Sequence, residues 1–263
     1  MWPVGGLWSP RARPPRRAPE LDGSAVIEAR DRAADNLADL LRQIRACRVC
    51  LEAPLGAPLP HAPRPVLHVG TGARILVASQ APGTKVHLSG RSFTDASGDR
   101  LRAWMGIGEE VFYDESRIAI AAMGFCFPGQ DGKGADLPPR RECARLWHDR
   151  LFATLPDFEL ILAVGRAAQT YHFKRLGLGH LLAGGLGETV AAWRTVREAH
   201  PGIRLYALPH PSWRNTGWLR RHPWFEADLL PELRRDVAAS LDRAQRLCEG
   251  EAKSERETAS WPK

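Results

Sequence analysis

The sequence predicts an α/β fold: a single domain with a central four-stranded parallel sheet and helices on both faces. Three observations carry that expectation. Four short apolar runs, residues 75–78, 118–122, 160–164 and 205–208, are too short for helices and consist of Ile, Val, Leu, Ala and one Tyr, as buried strands do. Helical patterns lie between them, and strand–helix alternation at this spacing implies parallel pairing through crossovers. The composition is that of an ordinary globular chain, with 263 residues, 44% hydrophobic and 25% charged. That balance sets aside collagenous, disordered and disulfide-framework classes.

Taken in order, residues 1–23 are rich in Pro and Arg, lack periodicity and read as a disordered leader. Over 24–45, Val26, Ala29, Ala33, Leu37, Leu40, Leu41 and Ile44 recur at helical spacing. A Cys-bearing turn and a Pro-studded loop over 54–65 lead to the first strand. Further helices are predicted over 99–105, 139–155, 166–176 and 189–198, and a last one over 224–247. The domain therefore spans 24–247, with a disordered tail over 248–263. No apolar run approaches the ~20 residues of a membrane helix. The segment from Trp2 to Trp8 is too short and too broken by Pro and Gly for a secretory signal, so the expected compartment is cytoplasmic. A net charge of +7 and a pI near 9.5 favour a polyanionic partner. The stretch after residue 213, with Arg214, Trp218, Arg220 and Arg221, is the most suggestive part of that excess.

In an open parallel sheet, ligands bind beyond the carboxyl ends of the strands. The loops at Gln80, Cys126, Gly165 and His210 should therefore gather on one edge. The first carries Ser79-Gln80-Ala81-Pro82-Gly83, then Gly90-Arg91-Ser92-Phe93 and Ser97-Gly98; the last carries His210-Pro211-Ser212-Trp213-Arg214-Asn215. Cys47 and Cys50 form a CxxC, with Cys126 and Cys143 downstream. From residue types alone these four are reduced buried thiols, a four-thiolate zinc site, or the ligands of an iron–sulfur cluster. Cys248 falls outside the pattern and reads as a plain thiol.

These loops resemble the two signature motifs of the uracil-DNA glycosylase superfamily, in the form carried by its family 4 iron–sulfur enzymes. There the first motif reads Gly-Glu-Ala-Pro-Gly, followed by Gly-Arg-Pro-Phe, and the second begins His-Pro-Ser. The turn Val164-Gly165-Arg166 resembles that family's corresponding turn, and the likeness runs over residues 40–240. It implies a monomeric base-excision repair enzyme acting on DNA containing uracil, which hydrolyses the N-glycosidic bond and leaves an abasic site. It also implies a structural [4Fe–4S] cluster on Cys47, Cys50, Cys126 and Cys143. His210 would hydrogen-bond the departing uracil anion, and Phe93 would stack on the flipped base. Gln80, Ala81, Pro82 and Gly83 would line the pocket. Ser212 would bind phosphate, with Trp213 or Arg214 wedging into the base stack.

The sequence also departs from the family. Gln80 stands where family 4 has Glu, and an amide orients water without accepting its proton. The best-known uracil glycosylases keep an Asp one position later, where this chain has Ala81. Ala122 falls where related enzymes place the Asn that pairs with uracil, leaving Asn215 as a substitute base reader. Asp95 is the expected replacement for the missing carboxylate, with Asp99, which also follows Phe93, and His87, which precedes it, as alternatives. Three readings follow: a uracil glycosylase with a relocated base, a glycosylase for hypoxanthine or xanthine, or a DNA-binding member without catalysis.

Overall fold

The computed structural model describes residues 23–182 and 184–243. Nearly all of the expected leader and the whole of the expected tail, with Cys248, lie outside them. Four strands, β1 (Ile75–Ser79), β2 (Ile118–Ala122), β3 (Leu160–Val164) and β4 (Arg204–Leu208), form one parallel sheet in the order β2-β1-β3-β4. β1, β2 and β3 are buried along their whole length, as expected of a parallel sheet covered on both faces. Strand order moves to one side from β1 to β2 and to the other from β1 to β3. Right-handed crossovers then place helices on both faces, and the chain reverses direction between β1 and β3. That switch point is where a ligand crevice opens.

The register puts four alanines side by side across the sheet: Ala121 beside Ala78, Ala78 beside Ala163, and Ala163 beside Ala207. Small side chains there let a covering helix approach closely. The helix Arg166–Arg175 packs onto β3 and β1. Its Gln169 is fully buried and donates Nε2 to the Leu208 carbonyl at 3.0 Å, satisfying an acceptor at the sheet's edge.

The helices follow the predicted order with local differences. The first, α1 (Gly23–Arg45), presents Leu37, Leu40 and Ile44 to the core. A short turn, α2 (Val49–Glu52), carries Cys50, and the first loop holds a helix not anticipated, α3 (Thr84–Ser89). The next, α4 (Ala96–Met105), starts three residues before the expected boundary, because Asp95 caps it by accepting from Ser97 N at 3.1 Å and Gly98 N at 3.3 Å. The helix predicted over 139–155 runs from Arg141 to Thr154 with a π-helical turn at Ala144–His148. The 189–198 pattern divides into Leu186–Ala191 and Trp193–Glu198. The last helix continues over 230–243 after a π turn at Phe225–Leu229. Among the described residues, no helix is long and apolar enough to cross a membrane.

Candidate active site

A cavity of about 80 Å³ opens beyond the ends of β1 and β2. Ser79 and Ala122 close its floor, Ala81, Pro82 and Gly83 form one wall, and Val86 and Phe93 supply apolar surface. Ser92, Asp95, Ser97, Asp136 and His210 complete the lining. It is a small, mixed apolar and polar recess at the switch point, suited to a planar polar ring.

Phe93 is 6% exposed and sits in the left-handed region at φ 57°, which is costly for a bulky residue. Several groups hold it there. Tyr113 donates its hydroxyl to the Ser92 carbonyl at 2.6 Å and the Phe93 carbonyl at 3.1 Å, and Arg102 Nη1 donates to the Phe93 carbonyl at 3.3 Å. Ser92 N donates to His68 Nε2 at 3.2 Å, and the Phe93 ring meets Phe112 edge-on at 5.9 Å. Gly98 is required below: a Cβ there would come within 1.7 Å of the Phe93 carbonyl oxygen. The Ser97-Gly98 pair of the motif therefore serves the backbone conformation that presents the ring.

His210 follows β4. Its Nδ1 accepts from Ser212 N at 3.3 Å. This bond makes Nδ1 the acceptor and places the ring proton on Nε2. Burial lowers its pKa from the ordinary histidine value, and the Asp95 and Asp136 charges only partly oppose that shift. The ring is thus a neutral Nε2–H donor at neutral pH. Asn215 Nδ2 donates to the His210 carbonyl at 2.7 Å, and Arg100 Nη1 reaches the Ser212 carbonyl at 3.2 Å and Thr216 Oγ1 at 3.4 Å. Both side chains fix the loop that carries the imidazole.

Outside the cavity runs a wider groove lined by Gln80, Lys85, Arg100, Gln130, Pro139, Ser212, Trp213, Arg214 and Asn215, among others. Gln80 lines this groove and not the inner cavity, because its side chain lies against Gly165, where a Cβ would come within 2.9 Å of the amide carbon. Gly165 has φ 83°, so the β3 turn needs glycine for both reasons. Asn215 likewise lines the outer groove alone. Trp213 is 76% exposed with the Arg214 guanidinium 5.7 Å from its ring, and both line the outer groove. Asp99 pairs with Arg102 at 2.5 Å, His87 packs beside His61 at 4.3 Å, and neither residue lines the cavity or the groove. Asp95, Ala81, Pro82, Gly83, Phe93, Ala122 and His210 do meet in the cavity. Sequence reasoning missed Asp136, Arg100 and the cavity serines Ser92 and Ser97 as functional groups. The Asp-Leu-Pro-Pro run after Ala135 was the available signal for Asp136.

The four cysteines Cys47, Cys50, Cys126 and Cys143 line one cavity of about 10 Å³ with Ile44, Pro63, Pro65, Phe125 and Trp147. All four are free thiols. Phe125 N donates to Cys143 Sγ at 3.5 Å. A hydrogen bond from Cys143 draws the Cys50 pKa down to about 7, whereas burial pushes Cys126 up to about 12. The buried pair Arg140–Glu142 clamps the Pro-rich loop over this site. Glu142 accepts from Arg140 at 2.6 Å and from Leu55 N at 3.0 Å, and Arg140 donates to the Ala57 carbonyl at 2.7 Å. Among the described residues, no group of three or more His, Cys, Asp or Glu side chains is arranged to hold a metal ion. A cubane cluster asks something different, since each thiolate binds its own iron and the four sulfurs need not converge on one point. The donor set, four thiols without disulfides from three chain segments, is of the kind such a cluster uses, but the recess measures only about 10 Å³ and the Cys50 and Cys143 thiols hydrogen-bond each other.

A parallel sheet with a small recess at its switch point, a strained buried aromatic and an imidazole in its lining defines an α/β protein with a ligand site at the carboxyl edge of its strands. The sequence model of the uracil DNA glycosylase superfamily matches residues 68–234, more than half of the chain, and the protein belongs to that superfamily. Its domain is therefore a DNA glycosylase domain, and the matched span holds the sheet and the residues that line the cavity.

Proposed function

We propose that this protein hydrolyses the N-glycosidic bond of uracil in DNA, leaving an abasic site, and that its nearest kin are the family 4 iron–sulfur enzymes. The observation that supports this most is the neutral His210 ring. Its Nδ1 is occupied by Ser212 N and its edge lines the same small cavity as the buried Phe93. In this reading DNA binds along the basic groove and the uracil nucleotide flips out of the stack. The base enters the cavity against Phe93, and Trp213 or Arg214 fills the gap left behind. Ser212 and the amides beside it hold phosphate. As the bond between C1′ and the base breaks, the electron pair leaves with uracil, and His210 Nε2–H donates to the oxygen that gains charge. Water then adds to C1′. Asp95 is the carboxylate assigned to that water, with Oδ1 fixed by two helix amides. Gln80 orients water from the groove side. Asn215 acts on the base only through the His210 loop.

The same reading places a structural [4Fe–4S] cluster on Cys47, Cys50, Cys126 and Cys143. The cluster would supply cross-linking of α1 and α2 to the loop after β2, since the hydrolysis moves no electrons. It also makes the protein a cytoplasmic monomer.

The test is cleavage of matched oligonucleotides carrying uracil, hypoxanthine, xanthine, or thymine opposite guanine, followed by alkali and gel resolution. Strand breaks confined to uracil are expected. Breaks at hypoxanthine or xanthine instead would mean that Ala122 at the cavity floor reflects a changed base preference. Binding without any break would overturn the glycosidase reading. Iron analysis of anaerobically prepared protein tests the cluster, and iron-free protein would overturn it.

A further inference from the structure

We propose that Asp136 is a second working carboxylate of this site, facing the deoxyribose from a different wall than Asp95 and stabilising the positive charge that builds on the sugar. This rests on the glycosylase reading above. Asp136 stands on a hairpin between β2 and the helix that begins at Arg141. The hairpin is closed by the bridge between Gln130 and Asp136 and by Asp131 N donating to the Ala135 carbonyl at 2.8 Å. Asp131 Oδ1 accepts from both Lys133 N and Ala135 N at 2.9 Å, which stiffens the turn.

The Asp136 side chain is held by one oxygen only. Oδ1 accepts from Gln130 Nε2 at 3.1 Å, while Oδ2 lies beside Gly83, 3.2 Å from where a Cβ of that residue would stand. Among the described residues no donor reaches Oδ2. Asp136 lines both the inner cavity and the outer groove, as Asp95 and His210 do, so it stands at the mouth that joins them. Its charge is felt at His210, where it opposes the loss of the ring proton.

The two carboxylates differ in what they can give. Asp95 shares its Oδ1 with two amides at a helix N-terminus, which already neutralise part of its charge. Among the described residues each carboxylate keeps one oxygen without a donor, but Asp136 accepts a single bond from Gln130 Nε2 and has no helix behind it. A carboxylate in a groove for a polyanion is unfavourable unless it meets a cation, and the groove's cations Lys85 and Arg214 are available to the phosphates. The cation at the mouth is the sugar as the C1′–N bond breaks and the electron pair leaves with the base. The role assigned to Asp136 is electrostatic, and no proton passes through it.

The test uses the full-length protein with whatever metal it carries. Binding is measured to DNA containing a cationic pyrrolidine abasic analogue and to DNA containing the neutral tetrahydrofuran analogue. Wild type should prefer the cation, and Asp136→Asn should reduce that preference about tenfold while leaving affinity for the neutral analogue unchanged. Asp136→Glu should restore part of it. Single-turnover uracil cleavage by Asp136→Asn should be about ten- to a hundredfold slower. A wild type that cleaves uracil, with an Asp136→Asn variant of equal rate and equal cation preference, would overturn the assignment while leaving the glycosylase reading intact. A wild type that cleaves nothing but loses its cation preference in the variant would do the reverse. A wild type with no cation preference would also overturn the assignment.

Discussion

The loop after β2 feeds two recesses of opposite character. Ala122 floors the base cavity, and four residues later Cys126 lines the cysteine cavity. The first is wide enough for a ring, lined by polar groups, and built from loops at the carboxyl edge of the sheet. The second holds almost no free space and is walled by Ile44, Pro63, Pro65, Phe125 and Trp147. Polar lining with room left over marks a place that receives a ligand and releases it. On the proposed reading, sulfur donors packed in apolar walls hold the chain together, and the loop would couple a chemical site to a structural one over a few residues.

The sharpest way to break this comparison is to remove a sulfur. Cys143→Ser should abolish iron retention and lower the unfolding free energy by several kcal/mol, because ligation energy is folding energy in such sites; iron analysis with thermal unfolding reads both. An unchanged melting temperature would show that the cysteine recess holds nothing. His210→Ala should do the opposite, slowing single-turnover cleavage by about 10²- to 10³-fold while leaving the melting temperature near that of wild type.

Acid should act on the buried side as well. Burial pushes His148, stacked on Phe125 at 5.1 Å, down to about 4, and His172 well below its usual value. Below the ordinary histidine pKa of 6.5 the unfolded chain binds protons that the folded chain does not, so stability falls as pH drops from 6.5 to about 4. For His148 alone the loss is on the order of 3 kcal/mol. Urea titrations across that range should show it, and His148→Phe should flatten the slope. Gly98→Ala should cost about 1–3 kcal/mol and displace Phe93, read as lost affinity for DNA bearing a non-cleavable uracil analogue. The smallest effect separates the two functions of Asp95. Asp95→Ala should cost about 1 kcal/mol through the lost cap, whereas Asp95→Asn keeps the cap, so any rate lost in the Asn variant belongs to the charge.

The sheet was legible because each strand is a short, almost wholly apolar run, and burial on both faces demands that composition. The cavity was legible where it lies within a few residues of a strand end, as Ala81–Gly83 and His210 do, and at Phe93 through the motif that carries it. Helix boundaries were less so. The cap at Asp95 moved the start of α4, and Thr84–Ser89 and Thr216–Arg221 are too short to show a period. The 139–155 pattern concealed a π turn because one extra residue per turn hardly alters a hydrophobic stripe. Asp136 and Arg100 were hidden for another reason. Asp136 reaches the site through a hairpin far from any strand end and Arg100 from a helix face just beyond the motif, and only tertiary packing brings them there.

The strained backbone at Phe93 bears on how tightly this site can hold a nucleotide. Tyr113, Arg102 and Gly98 fix the ring whether or not DNA is present, so the cost of freezing that side chain falls on folding and not on association. On the glycosylase reading, what must still be ordered on binding is the flipped nucleotide itself. Discrimination among lesions then depends on how readily each one leaves its helix, and loosely paired bases should be captured fastest by a platform already set in place.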